Sequence, residues 1–174
     1  YIRFNKKLNI ILEEDKTNIR IAAISAFVAH QLKKDNPYPF CKNPLDFIHI
    51  GTLADHTSHV DRFIEEVVLE AENQKSEWEP KNKTTRLGFQ TRNLIFNAGD
   101  SCAALQKMLI DEINVYYSKF SQEDCSLMNF WPAMYSLSGW YVRLIKNGYQ
   151  NAHIHPDGWI SGVVYLRTVG ASDH

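Results

Sequence analysis

The chain has 174 residues, of which 44% are hydrophobic and 22% charged, a composition typical of a globular domain that excludes wholesale disorder. With 19 Lys and Arg against 20 Asp and Glu, the net charge is -1, so no basic excess indicates a nucleic-acid partner. No run approaches the roughly 18 consecutive apolar residues that span a membrane, and three widely spaced cysteines suit neither a disulfide framework nor a zinc knuckle. We therefore expect an intracellular, cytoplasmic protein without nucleic-acid or membrane partners.

The first half of the chain predicts helices joined by a proline-rich connector. Residues 18–34 carry apolar side chains at three- and four-residue spacing, and Thr17 is a candidate cap before them. Residues 36–44 contain three of the six prolines and predict an extended, ordered connector. A short strand is expected at 46–50, and a second amphipathic helix at 58–74.

A predicted loop at 75–83 separates this half from a region richer in strand-forming residues. Residues 88–97 predict a strand, and Asp100 or Ser101 caps a predicted helix that reaches residue 120. Here Cys102 opens the helix, and a buried thiol is the better interpretation because no base is identifiable near it.

The last third predicts three strands separated by two turns. The strands are expected at 140–145, 149–155 and 159–166, with turns at Lys146-Asn147-Gly148 and Pro156-Asp157-Gly158. Strands at this spacing are typical of a sandwich or jelly roll. Helices followed by a sheet predict the α+β class, with residues 1–83 as a helical region and 84–174 as the sheet domain.

One cluster of metal-ligating side chains stands out, at the end of the second predicted strand. His153 and His155 are two residues apart, so on a strand they point to one face. Asp157 follows two residues later, but Pro156 predicts a turn that leaves the direction of its side chain open. Two histidines with one carboxylate are the ligand set of non-haem iron oxygenases, whereas paired histidines on a strand are also common as surface residues.

Several segments of the sequence resemble a family of 2-oxoglutarate- and Fe(II)-dependent oxygenases. The likeness is most specific in His153-Ile154-His155-Pro156 and in Gly158-Trp159-Ile160-Ser161-Gly162-Val163-Val164-Tyr165-Leu166, and it extends upstream to Thr84–Thr91. Residues 23–30 and 36–41 resemble members of the family that carry tetratricopeptide repeats ahead of the oxygenase domain, so 1–83 is compared with the end of a helical repeat array.

The resemblance implies a double-stranded β-helix, the cupin-like jelly roll, that binds Fe(II) and the co-substrate 2-oxoglutarate. It favours His153 and His155 as ligands nearest the metal, with Asp157 as the alternative carboxylate. Tyr165 and Arg143 are candidates for contacts to 2-oxoglutarate, and Arg143 is expected to share one strand face with Tyr141 and Ile145. A core aromatic and a solvated charge are the ordinary alternatives. Because the chain begins at Tyr1 and ends at His174, before a suitable distal histidine, we expect a jelly roll that is incomplete at its C-terminus in a longer protein.

Three functions compete. The first is an oxygenase that hydroxylates an unknown substrate, either a small molecule or a protein. The second is a non-catalytic jelly-roll scaffold whose N-terminal helices bind a partner protein. The third is a cupin-like metal enzyme that does not use 2-oxoglutarate.

Overall fold

A computed structural model gives the structure of the protein and describes residues 6–8, 10–11, 14–95 and 98–168. Its principal helices and strands are, in chain order, α1 (Ile19–Leu32), α2 (Val60–Glu72), β1 (Ser76–Trp78), β2 (Thr85–Thr91), α3 (Asp100–Phe120), α4 (Ser126–Asn129) and β3 (Val142–Gln150), with short 3-10 helices at Pro44–Phe47 and Leu53–Asp55. This mixture of helices and one antiparallel sheet agrees with the predicted α+β class. Within the described part of the chain, no helix combines the length and the apolar character needed to cross a membrane.

The chain divides into two compact units, and each unit contains part of α3. The first contains Tyr1–Ile50, Ile113–Tyr135 and Ile154–Ser161, and the second contains Gly51–Glu112, Ser136–His153 and Gly162–His174. The division into a helical region 1–83 and a sheet domain 84–174 stays a prediction.

The first unit is built around the proline-rich connector. Tyr38 is fully buried and Phe40 nearly so, so two aromatic residues of this segment pack in the core. The Tyr38 hydroxyl donates to the Asp15 carbonyl at 2.7 Å and accepts from the Asn18 amide at 3.0 Å, so the buried ring keeps its polar atom satisfied. The core that surrounds these rings consists of Leu8, Phe120, Cys125, Leu127 and Met128.

The three predicted long helices are confirmed, with ends that lie within two residues of the expected ones. The cap of α1 is Asn18 rather than Thr17, because the Asn18 side chain accepts a hydrogen bond from the Ile21 amide at 3.1 Å. The Thr17 hydroxyl instead donates to the Asp15 carboxylate.

In the second unit, a side chain of α2 caps the N-terminus of α3. The Glu70 carboxylate accepts hydrogen bonds from the amides of Gly99 at 2.6 Å, Ser101 at 2.9 Å and Cys102 at 3.2 Å. The amides at the start of a helix have no intrahelical partner, and their partial positive charge favours an anion. Below this contact, Phe63, Val67 and Cys102 form the buried core of the unit.

The sheet has three antiparallel strands in the order β1-β2-β3. β1 was expected to be loop; it is a strand because it pairs along β2, with Trp78 opposite Phe89 and the two rings 5.0 Å apart. β2 occupies Thr85–Thr91, so the prediction of a strand over 88–97 is right only for residues 88–91 within the described chain. Residues 96 and 97 lie outside the described residues.

The predicted turn at Lys146-Asn147-Gly148 is wrong, because these residues form a bulge within a single strand. Leu144 pairs with Gly88 and Tyr149 with Arg86, so residues 145–148 of β3 stand against Leu87 alone. Asn147 has a φ of 65° and Leu87 a φ of 49°. The turn-forming sequence therefore supplies the left-handed backbone of a bulge instead of reversing the chain.

Two further strand predictions are wrong. Residues 46–50 contain the end of a 3-10 helix that Pro44 opens, because proline fits the first helical position. Residues 151–168 contain no strand. The ladder ends at the pair Thr85–Gln150, and the last bond beyond it runs from the Asn151 amide to the Thr84 carbonyl at 2.9 Å. The residues before Thr84 form a turn, in which the Lys83 amide bonds to the Pro80 carbonyl. Residues after 151 therefore have no extension of β2 with which to pair.

Candidate functional site

The segment that carries the candidate metal ligands is irregular. A turn at Pro156-Asp157 brings the Gly158 amide to the His155 carbonyl at 3.1 Å, as expected from the sequence. Because 151–155 is not a strand, the argument that His153 and His155 share a strand face is wrong. Their assignment as metal ligands stays a prediction.

His153 is exposed and has a defined ring orientation. Its Nδ1 lies 2.7 Å from the Asn151 carbonyl oxygen. Because a carbonyl only accepts, Nδ1 must carry a proton, and in the neutral ring the lone pair is then on Nε2. A backbone carbonyl on Nδ1 is the usual outer partner of a metal-binding histidine, so the ring has one feature of a ligand.

Asp157 lies in the first unit, where its carboxylate faces α1. Its Oδ1 is 3.5 Å from Nη2 of Arg20, with the Asp157 side chain 92% exposed and that of Arg20 64% exposed. Exposed pairs of this kind contribute about 0–1 kcal/mol. The pair therefore gives Asp157 a preferred position but does not hold it firmly.

The described residues do not assemble a metal centre. Among them, no group of three or more His, Cys, Asp and Glu side chains could hold a metal ion. The described residues alone therefore do not complete the ligand set that the family resemblance implies for iron.

The two candidate co-substrate residues have different surroundings. Tyr165 is 74% exposed and lies outside any strand. Arg143 lies on β3, directly opposite Phe89 in the ladder, with its guanidinium carbon 4.9 Å from the centre of the Phe89 ring. Arg143 also lines a cavity of about 210 Å³ in the second unit, whereas Tyr165 is not among its lining residues.

The cavity is the feature that sequence reasoning missed. It lies between the C-terminal end of α2 and the face of the sheet, and its lining residues are Ala71, Glu72, Ser76, Phe89, Thr91, Tyr141 and Arg143. The grouping of Tyr141 and Arg143 on one face follows from strand alternation and was expected. The presence of Glu72 was not, because it depends on the tertiary packing of α2.

The structure also shows a contact between His56 and Glu112, in the second unit, that the sequence does not predict. The His56 Nε2 and Glu112 Oε1 atoms are 2.7 Å apart, and both side chains are largely buried. They are 56 residues apart in the chain, so no local pattern links them.

Comparison with known proteins finds one family. The model described as "Putative 2OG-Fe(II) oxygenase" matches residues 138–174, a minor part of the chain. No curated protein and no solved structure matches. The match covers β3 and also residues 153–166, where the sequence resemblance is most specific.

Proposed function

We propose that the chain belongs to an oxygenase that uses Fe(II) and 2-oxoglutarate to hydroxylate an unknown substrate. The observation that carries this proposal is the family match over residues 138–174. The proposal includes a jelly-roll core to which β1, β2 and β3 would contribute.

In this proposal His153 and His155 bind the metal, and Asp157 is the alternative carboxylate. The Nδ1 contact of His153 favours a ligand role. The weak pairing of Asp157 with Arg20 would not prevent the carboxylate from binding a cation, because an exposed ion pair is easily exchanged.

Tyr165 and Arg143 are the proposed contacts for a carboxylate of 2-oxoglutarate. Of the two, Tyr165 is the better candidate. Arg143 shares its cavity with Glu72, whose negative charge opposes a ligand that carries two carboxylates.

Calorimetric titration with Mn(II), with and without 2-oxoglutarate, tests the metal assignment. We expect the double variant His153→Ala/His155→Ala to lose affinity at least tenfold, since even the loss of an outer partner typically costs about 10–100-fold. The matched control is His30→Ala/His59→Ala, which removes two exposed imidazoles elsewhere. Equal affinity in both double variants would place the metal at other residues.

The alternative function is a non-catalytic scaffold, and two observations favour it. The candidate donors are not gathered within the described residues. In addition, α1 leaves Phe27 64% and Ile24 49% exposed, which suits a helix that binds a protein partner. Absence of Mn(II) binding in the unmodified protein would support this alternative over the oxygenase.

A further inference from the structure

We propose that the cavity between α2 and the sheet binds a small free α-amino acid. The inference does not depend on iron or 2-oxoglutarate, and it assigns a ligand class to a cavity in which Arg143 alone has a role in the oxygenase proposal. It follows from the placement of one cationic and one anionic group around a small cavity with a polar sheet floor.

The floor of the cavity is formed by two rows of side chains across the sheet. In one row Ser76 pairs with Thr91, whose amide bonds to the Tyr141 carbonyl at 3.0 Å. In the other, Phe89 pairs with Arg143. Because residues two apart on a strand share a face, both rows point to the same side of the sheet.

Arg143 supplies the carboxylate-binding end. Its guanidinium stacks on the Phe89 ring, which fixes its plane while its donors remain directed to its edges. A guanidinium held in this way is suited to two parallel hydrogen bonds with a carboxylate.

Glu72 supplies the ammonium-binding end. It is the last residue of α2, where the helix dipole is negative and favours a cation. Its Oε1 lies 3.5 Å from the Tyr141 hydroxyl. Among the ion pairs within 4.0 Å in the described chain, none joins Glu72 to Arg143, so the two charges do not cancel directly across the cavity.

The charges of both Glu72 and Arg143 act on the phenol of Tyr141. Burial raises the pKa of Tyr141, the Glu72 charge raises it further, and Arg143 and Arg167 oppose the rise. The hydroxyl therefore stays protonated at neutral pH and donates to Glu72, so its oxygen remains able to accept a hydrogen bond from a ligand ammonium. The guanidinium of Arg143 and the carboxylate of Glu72 around it give a site for a zwitterion.

The size of the cavity limits the ligand to a small molecule. About 210 Å³ is below the roughly 300–1,000 Å³ of pockets that hold drug-sized ligands. An amino acid with a short side chain meets this limit, and it carries both charges that the site requires.

Titration by NMR or calorimetry with glycine, L-alanine, L-serine and L-aspartate tests the proposal. Propionate and ethylamine serve as probes with a single charge, and 2-oxoglutarate as a dicarboxylate. We expect at least one amino acid to bind, and more tightly than either probe with a single charge. Arg143→Gln and Glu72→Gln should each weaken that binding about tenfold or more, as expected for loss of a charge-assisted hydrogen bond.

Arg92→Gln is the matched control, because Arg92 is an exposed arginine near the sheet that pairs with Glu77 at 3.7 Å, away from the cavity. It should leave amino-acid binding unchanged. Arg143→Lys should retain part of the affinity, because it keeps the charge but loses the planar fork. All the substituted side chains are exposed, and far-UV circular dichroism checks that each variant folds.

Three outcomes would overturn the proposal. The first is that no tested amino acid binds saturably at concentrations up to about 10 mM, at which even a weak metabolite site would be occupied. The second is binding that neither Arg143→Gln nor Glu72→Gln affects. The third is tighter binding of 2-oxoglutarate through Arg143, which would make Arg143 a co-substrate residue and leave the oxygenase proposal standing.

Discussion

The sequence pattern predicts the helices α2 and α3 correctly, but it predicts the segment after β3 wrongly. The helices lie where apolar periodicity predicts them, whereas residues 151–168 alternate like strands and form none. The hydrogen bonds of a helix lie within its own segment, so a local pattern is enough to predict it. A strand also needs a neighbouring backbone, and β2 provides one only as far as the bond between Asn151 and Thr84.

Where α2 and β3 do contact the rest of their unit, single residues decide the geometry. Glu70 joins two helix ends, and Gly148 permits two backbones to approach inside a strand pair. Substitutions at such residues test whether long-range contacts control each region as strongly as the structure indicates.

The largest effect is expected for Gly148→Ala. An added Cβ would lie 2.5 Å from the Leu87 carbonyl oxygen and 2.9 Å from that of Ile145, and backbone atoms cannot easily move away. Overpacking of this kind typically costs about 1–3 kcal/mol, so the free energy of unfolding should fall by about 2 kcal/mol or more. Urea denaturation measures it.

Gly162→Ala is the control for this substitution, since nothing lies within 4 Å of its added Cβ. It should change the free energy of unfolding by no more than about 0.5 kcal/mol. Equal stability of the two variants would show that the bulge is not closely packed at Gly148.

A smaller effect is expected for Glu70→Gln. The amide has one accepting oxygen and no charge, so the amides at the start of α3 lose part of their cap, at a cost of about 1–2 kcal/mol. The control is Glu66→Gln on the same helix, where the carboxylate pairs with Arg62 at 2.8 Å on an exposed surface and contributes only about 0.2–0.5 kcal/mol. A loss in Glu66→Gln as large as in Glu70→Gln would contradict the cap.

The same carboxylate predicts a dependence of stability on pH. Burial raises the pKa of Glu70, but hydrogen bonds from Cys102, Gly99 and Ser101 outweigh it and hold the pKa below its ordinary 4.5. The folded state therefore releases this proton more readily than the unfolded state. Its stabilisation is complete above about pH 5 and disappears as the pH falls through the folded pKa. Unfolding curves from pH 7 to pH 3 should show this loss, and Glu70→Gln should remove that part of it.

The smallest effect is expected at the start of α1. Asn18→Ala removes the side chain that accepts from the Ile21 amide and should cost about 1 kcal/mol. Thr17→Ala tests the cap that the sequence favours and should cost less, because its hydroxyl contacts only Asp15 among the described contacts and not an amide of α1. A larger loss for Thr17→Ala than for Asn18→Ala, measured by thermal unfolding, would restore Thr17 as the cap.

Strand alternation predicts the arrangement of side chains in one part of the candidate sites and fails in another. Strand alternation correctly grouped Tyr141 with Arg143, because both lie on the regular part of the ladder near Thr91 and Phe89. It could not reveal Glu72, whose position depends on how the end of α2 packs on the sheet. For His153 and His155 it applied a strand rule to residues that lie past the end of the strand.

The bulge also shifts the alternation of side chains, and it does so in β2 rather than in β3. The Thr85 hydroxyl donates to the Gln90 Oε1 at 2.8 Å and accepts from the Gln150 side chain at 3.3 Å, so these three side chains lie on one side of the sheet. Thr85 and Gln90 are five apart, and a regular strand would place them on opposite sides; the left-handed backbone of Leu87 between them accounts for the shift. Their partners in β3, Gln150 and Val142, are eight apart, so the even-numbered residues of β3 stay on one side and Arg143 stays on the other. A mutational scan of β2 should be designed with this change of phase, since a design based on uniform alternation would assign Thr85 and Arg86 to the wrong faces.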